Sequence, residues 1–432
     1  MTKTALTLVG LMVLLLGSGV WIGAGLIGTG AGMLAIFRPQ MPFLKLLAQQ
    51  AWNVLSSPEL LALPLFILMA EVLFRTDISK SLFTGLSPWL RRVPGRLCHI
   101  NVLGCTLFAS VCGSSAATTV TVGRITAGEL LKRGYDRRLV IGSLAGAGTL
   151  GFLIPPSTIM IIYGVMAEES ILQLFIAGIL PGLMLAGAYM GYIGLRALVE
   201  PDHVGAAPAS TTLREKMDAL VGLGPLILLI LCVIGSMYGG IASPTEAAAA
   251  GVLGSIAIGV AQRRLDFRGL ILAARQAAEN CAMIGLIIIG AMFLSTAIGY
   301  LGLPRYIAQV IQGWGLSPLM LIVVLLVFYI LLGMVMEGMA IIVMTLPITL
   351  PLAQAAGYDK IWFGIFIVIV VEMAQISPPV GFNLTVIQRL TGESIGSVTR
   401  ATMPFFLIMA AFVLLIAVFP GIVSIMPDLM RN

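Results

Sequence analysis

The run Thr149-Leu150-Gly151-Phe152-Leu153-Ile154-Pro155-Pro156-Ser157 sets two adjacent prolines inside an apolar stretch that reads as helix on both sides. Proline removes a backbone donor and clashes with the preceding turn, so a helix carrying two of them breaks there. A break within a bilayer-spanning segment frees carbonyls and amides, which are tolerated at that depth only where protein or a cavity covers them. A second stretch of the same kind follows later: Gln375-Ile376-Ser377-Pro378-Pro379-Val380-Gly381-Phe382-Asn383.

The two breaks belong to a repeat. Gly134-Tyr135-Asp136 precedes Pro155-Pro156 and then Pro181, while Gly357-Tyr358-Asp359 precedes Pro378-Pro379 and then Pro404. Every one of these positions keeps the displacement that separates Gly134 from Gly357. Upstream, Gly85-Leu86-Ser87-Pro88 matches Gly315-Leu316-Ser317-Pro318 at a larger displacement, which implies about seven extra residues near 91–97 in the first copy.

Composition sets the medium. The 432 residues are 59% hydrophobic and 10% charged, with a mean hydropathy of +1.05. A soluble domain carries about 25% charged residues, so the chain is expected to be an all-α, polytopic membrane protein. Apolar length places spans near 52–74, 138–167, 171–199, 217–238, 242–262, 281–300, 360–390 and 398–426. The N-terminal run 5–37 is too long for the apolar part of a signal peptide. It would reach ~50 Å as one helix, and its many glycines allow either one long tilted helix or two short passes.

Segments 97–131 and 318–356 each divide into arms of about 15 residues, or ~23 Å, short of the ~30 Å hydrocarbon core. They read as re-entrant hairpins; two tilted spans apiece is the alternative. Basic residues then orient the chain. Arg75, Lys80, Arg91, Arg92, Arg96, Lys132, Arg133, Arg137 and Arg138 flank the first hairpin. Only Arg305 and Lys360 flank the second. Counting spans outward, 18 of the 25 basic residues fall on one side, which the positive-inside rule makes cytoplasmic. The two hairpins then enter from opposite faces, and the copies are inverted. Net charge of +6 is therefore a topology signal, and no nucleic-acid partner is expected.

The chemistry is that of a carrier. Inverted repeats with discontinuous helices build midplane substrate and ion sites in secondary transporters. The first hairpin tip, Cys112-Gly113-Ser114-Ser115-Ala116-Ala117-Thr118-Thr119, offers small residues and hydroxyl oxygens. The second, Gly333-Met334-Val335-Met336-Glu337-Gly338, puts an acid near mid-membrane. Arg124 lies about ten residues beyond the Ser-Ser tip, where a cation either snorkels to the interface or holds a carboxylate in a bidentate fork. Glu337 and Glu372 read as ligands, hydrogen-bonding acids or pore-facing charges. Glu246, following Ser243-Pro244-Thr245, fits a helix cap. Cys98, Cys105 and Cys112 form a seven-residue stripe suited to packing. With only His99 and His203, a histidine-built metal site or proton relay is not expected. No GxxxxGK[ST], HExxH or GxSxG pattern occurs, so neither ATP hydrolysis nor another enzymatic activity is expected.

Five stretches in order carry a resemblance: GSSAATTVTVGRI at 113–125, GTLGFLIPPSTIMIIYG at 148–164, SPTEAAAAG at 243–251, GMVMEGMAIIVMTLPITLPLA at 333–353 and SPPVGFNLTVI at 377–387. Together they resemble the large membrane permease subunit of tripartite ATP-independent periplasmic (TRAP) transporters, over nearly the whole chain. The resemblance implies an elevator-type symporter of the bacterial cell inner membrane that takes up a small organic acid with Na+ and has no organic cofactor. It implies a small four-helix membrane subunit and a periplasmic substrate-binding protein as partners. One sodium site would use Ser114, Ser115, Gly148, Thr149, Gly151 and Pro155, and another Gly333, Ala374, Ser377 and Val380. Arg124 would meet the substrate carboxylate, with Ser114, Glu337 and Asn383 as further candidate contacts. Three features depart from the family pattern: the segment GYDKIWFGI at 357–365 differs from the more usual GIDP-x-x-FG form, Ser377 replaces a common Thr, and Glu372 stands where Asn is frequent.

The organisation expected is an N-terminal transmembrane part at 1–51 and a first repeat at 52–199, with hairpin 97–131 and broken helix 138–167. Connecting helices at 200–280 follow. The second repeat occupies 281–432, with hairpin 318–356, broken helix 360–390 and a periplasmic C-terminus. A stand-alone carboxylate carrier and a membrane-embedded enzyme using Arg124, Glu337 and Glu372 are the rival readings.

Overall fold

The computed structural model describes residues 1–205, 212–334, 336–378 and 381–431, and they form helices joined by short turns, with no strand among them. Among the described residues, six helices are long and apolar enough to cross a membrane. The bent pair Phe43–Leu55 and Pro58–Leu73, angled at 57°, would add a seventh if it is one span.

The N-terminal run is two helices, Thr2–Gly17 and Ile22–Phe37, reversed at Gly19, whose φ of +80° suits a residue without a Cβ. They pack antiparallel: a Cβ at Gly25 would meet Leu16, one at Gly28 Leu15, and one at Gly32 Leu11. At 16 residues each they are only ~24 Å long. The second lies along the 34-residue helix Phe267–Tyr300, with Gly23 on Leu286 and Gly30 on Phe293.

Pro58–Leu73 runs parallel to Pro244–Ala261. Thr245 Oγ1 donates to Pro58 O at one end, Met69 fills the notch at Gly251, and Asp77 N donates to Gln262 Oε1 at the other. The start of Pro244–Ala261 is closed by a full capping box between Ser243 and Glu246, a feature worth about 1 kcal/mol. Amphipathic Ile78–Leu90 packs antiparallel on Leu213–Tyr238, where Gly85 admits Leu223 and Lys216 covers the Trp89 ring.

Three further units occur twice. Arg96–Cys112 and Ser115–Lys132 form a first helical hairpin; Pro318–Gly333 and Gly338–Ala355 form a second. Arg137–Gly148 continues through Thr149–Gly151 to a break and resumes as Thr158–Ala167. Lys360–Gln375 stops likewise and resumes as Phe382–Thr391. Ile171–Val199 and Ile395–Val418 complete each set. The helix starts keep the register of the sequence repeat. Ser115 to Gly338 and Arg137 to Lys360 reproduce the Gly134-to-Gly357 displacement, and Thr158 to Phe382 and Ile171 to Ile395 exceed it by a single position. Gly338–Ala355, at 18 residues, is long enough to cross by length and composition, whereas Pro318–Gly333, at 16, is not.

One expected correspondence does not hold. Gly85-Leu86-Ser87-Pro88 lies inside the helix Ile78–Leu90, whereas Gly315 to Pro318 is the turn that opens a hairpin arm. The turn with the equivalent role in the first copy is carried by Gly95, with φ +94° against +63° at Gly315. With Gly95 matched to Gly315, the seven-residue insertion disappears. A four-residue match between a helix interior and a turn carries no structural equivalence.

Contacts between the copies are reciprocal. Arg137, opening the first broken helix, pairs with Glu393 just past the end of the second. Lys360, opening the second, pairs with Glu169 at 3.4 Å, just past the end of the first. Glu169 and Glu393 are equivalent to within one position of the repeat, so the two ion pairs exchange under it, as expected for a pair related by a two-fold axis. Both broken helices sit deep in the protein, and residues 362–376 are buried without interruption.

Candidate ion and substrate site

The first hairpin turns at Gly113, held at φ +59°, where a Cβ would stand 2.7 Å from Pro156 O. Its carbonyl accepts from Thr158 Oγ1 at 2.8 Å, which fastens the tip to the second half of the first broken helix. Ser115 Oγ donates to Gly148 O at 3.0 Å, one turn before the break. Gly151 lies so close that a Cβ would come within 2.5 Å of Ser115 Cα. A hydroxyl and backbone carbonyls thus converge where helical pairing ends.

The second hairpin repeats this seat with other residues. A Cβ on Gly333 would fall 2.1 Å from Ala374 Cβ, and one on Gly338 would meet Val371 and Gln375. Ser377 Oγ donates to Ala374 O at 2.8 Å. Glu337 caps the returning arm by accepting from Met339 N at 3.1 Å.

The two seats meet across the repeat. Asn383 Nδ2 donates to Ser115 Oγ at 2.6 Å, and Phe152 N donates to Glu372 Oε1 at 2.9 Å. Both Glu372 and Asn383 are fully buried. A carboxylate held in such a place needs charge compensation, because stripping it of water costs several kcal/mol.

Of the residues expected at the first ion site, Ser114, Ser115, Gly148 and Gly151 stand together at the tip, with Pro155 buried in the break. Thr149 is adjacent in sequence, but its hydroxyl donates to Gly146 O at 2.6 Å and faces Tyr189 and Met409. At the second, Gly333, Ala374 and Ser377 stand together, while Val380 lies outside the described residues.

Among the candidate substrate contacts, Ser114 is partly exposed, opening the helix Ser115–Lys132 with no side-chain cap bond. Arg124 is exposed ten residues further along that arm, ~15 Å away, and forms no ion pair among the described residues. The same arm runs parallel to Phe382–Thr391, with Asn383 at Ser115 and Leu390 at Gly123. Phe382 and Arg389 are exposed on that neighbour. Asn383 is not on this open face; it is buried against Ser115. Glu337 belongs to the other tip, so the four candidates do not form one cluster. Sequence reading passed over Thr158, the clasp on Gly113. Its signal was a hydroxyl directly after Pro155-Pro156-Ser157, at the first turn of the resumed helix.

A helical membrane protein in which two hairpin tips abut two interrupted helices has the architecture of a transporter. Solved structures agree: the Alcanivorax borkumensis YdaH transporter superposes with a TM-score of 0.62 over 87% of both chains at 16% identity, a likeness of fold. Residues 8–422 match the family described as tripartite ATP-independent periplasmic transporter, DctM component, and the chain belongs to that family. It is 32% identical to the C4-dicarboxylate TRAP transporter large permease protein DctM of Pseudomonas aeruginosa over 402 residues, 93% of each chain. To the protein of the same description in Rhodobacter capsulatus it is 30% identical over 444 aligned positions, 99% of each.

Proposed function

We propose that this large permease subunit takes up a small organic acid by sodium symport, with the carboxylate held at Arg124 and one sodium site at each tip-on-break seat. The carrying observation is that a hairpin tip closes on a helix break once in each copy of the repeat, with a serine hydroxyl and backbone carbonyls at each junction, the serine coming from the tip in the first copy and from the break in the second. Hard oxygen donors of this kind suit a sodium ion, and two equivalent seats suit two ions better than one reaction centre. Arg124, exposed and without an ion pair among the described residues, supplies the cation for the acid. The C4-dicarboxylate names of its relatives support an organic acid as cargo.

In this reading segments 97–131 and 318–356 are re-entrant from opposite faces, and 18 of 25 basic residues face the cytoplasm of a bacterial inner-membrane protein. The C-terminus is then periplasmic. The hairpins and broken helices move as one body, an elevator, past the helices around Pro244–Ala261 and Phe267–Tyr300. A periplasmic binding protein delivers the acid and a small four-helix subunit completes the membrane complex. The chain itself performs no chemical step.

With two sodium ions and a monovalent anion, each cycle carries one net positive charge inward, to which the membrane potential contributes about 2.3 kcal/mol per 100 mV. In proteoliposomes holding the complex, uptake should rise steeply with external sodium, with a Hill coefficient above one, and quicken with an inside-negative potential. Ser114→Ala and Ser377→Ala should each shift the sodium dependence to higher concentration. Uptake indifferent to sodium but driven by a pH gradient would contradict the reading. Full uptake of free substrate by the purified chain alone would favour a stand-alone carrier.

A further inference from the structure

We propose that Glu372 and Asn383, both from the second copy, complete the cation seat of the first copy with a carboxylate oxygen free for the ion, whereas the acid at the second tip, Glu337, is engaged as the cap of its own arm. The inference rests on the sodium reading above and names residues that reading does not require.

The argument starts from one proton. The Ser115 hydroxyl has a single hydrogen, and Gly148 O receives it at 3.0 Å. The 2.6 Å contact with Asn383 must therefore be Nδ2–H donating to Ser115 Oγ. That fixes the orientation of the amide and leaves Asn383 Oδ1 an acceptor with no donor among the described residues. Glu372 faces the same serine hydroxyl. Its Oε1 takes the Phe152 amide hydrogen, and its Oε2 has no partner among the described residues. Both side chains are completely buried. Gln375 Nε2, the unpaired donor one turn along the same helix, lies against Gly338 at the second tip.

Two buried oxygens with no partner among the described residues, one of them on a carboxyl group that a bound cation would hold ionised, thus flank a serine whose bonding capacity is already in use. A monovalent cation answers both, coordinated by carboxylate and amide oxygens beside the carbonyls of the first break. These are the hard donors that alkali and alkaline-earth ions take. The counterpart of Glu372 under the repeat is Thr149. Thr149 brings no charge, and its hydroxyl is turned to Gly146 O. The symmetry that builds two seats therefore gives them different ligands: a carboxylate oxygen free for the ion at the first, and at the second an acid, Glu337, already accepting from Met339 N; free ligand charge sets cation affinity. The first seat binds sodium tightly and the second weakly.

The test is equilibrium binding of radioactive sodium to the purified full-length chain. Wild-type protein should show a tight and a weak class of site. Glu372→Gln keeps an oxygen for the Phe152 amide and should weaken the tight class about tenfold or more while leaving the weak class unchanged. Adding Asn383→Asp to that variant returns a carboxylate to the other side of the seat and should restore tight binding. A purely structural role for Glu372 would not be rescued this way. Asn383→Asp alone should tighten the first class further, which keeps the assignment open to disproof if Glu372→Gln does not fold. Unchanged sodium binding by Glu372→Gln, or failure of the double variant to regain affinity, would overturn the assignment and leave the sodium reading intact. Wild-type protein that binds no sodium would overturn both.

Discussion

Replacing Arg124 with alanine is expected to abolish carboxylate uptake while the protein still assembles and still binds sodium. The guanidinium is exposed partway along Ser115–Lys132, on the arm that begins at the Ser114-Ser115 tip, with no ion pair to a carboxylate among the described residues. A cation placed so is available to a substrate acid, and once the bound acid buries the pair, losing one partner costs about 2–5 kcal/mol. That corresponds to a loss of about 25-fold or more in apparent affinity. Arg124→Lys should recover only part of it, since an ammonium cannot form the bidentate fork. Uptake by Arg124→Ala at the wild-type level would mean that this arginine only carries charge to the membrane interface.

A single methyl group at either seat should be nearly as damaging. Gly151→Ala would put a Cβ 2.5 Å from Ser115 Cα, against backbone that cannot step aside. Gly333→Ala would put one 2.1 Å from Ala374 Cβ. Both changes push a hairpin tip off its break, and overpacking alone typically costs about 1–3 kcal/mol. Uptake should fall to background in each variant, with a higher sodium requirement in any activity that remains. Gly187→Ala, where nothing lies within 4 Å, should behave as wild type. Ala374→Gly removes the methyl that Gly333→Ala meets, so the pair should regain part of the activity. If Gly151→Ala transports normally, the close tip-on-break contact is not the working geometry.

The sequence was most legible where a local rule has one outcome. Pro155-Pro156 and Pro378-Pro379 could only interrupt their helices. Gly134 and Gly357, at φ +78° and +91°, mark the turns that lead into them. Ser243 with Glu246 could be read as a cap from spacing alone. Legibility failed where several residues offered the same signal. The glycines of 5–37 gave no ground for choosing Gly19 as the reversal, because the packing of Leu11, Leu15 and Leu16 against the following helix decides it. The Gly-Leu-Ser-Pro match failed because a short string fixes neither helix nor turn. The meeting of Ser115 with Asn383, and of Phe152 with Glu372, joins residues 268 and 220 positions apart. Ser115, Glu372 and Asn383 were each visible as candidates in their own stretches, whereas Phe152 was not. Their apposition comes from the two-fold packing of the copies, which no local pattern records.

The central claim is that the two copies lie inverted across the membrane, and Arg137 and Lys360 test it directly. They are equivalent positions of the repeat, each opening a broken helix and each paired with an acid of the other copy. In a background lacking the five native cysteines, a single cysteine is placed at one position or the other, and intact cells are exposed to a membrane-impermeant thiol reagent. The inverted arrangement predicts that the cysteine at 360 reacts from outside, while that at 137 reacts only after the cells are opened. Labelling of both from the same side would contradict it.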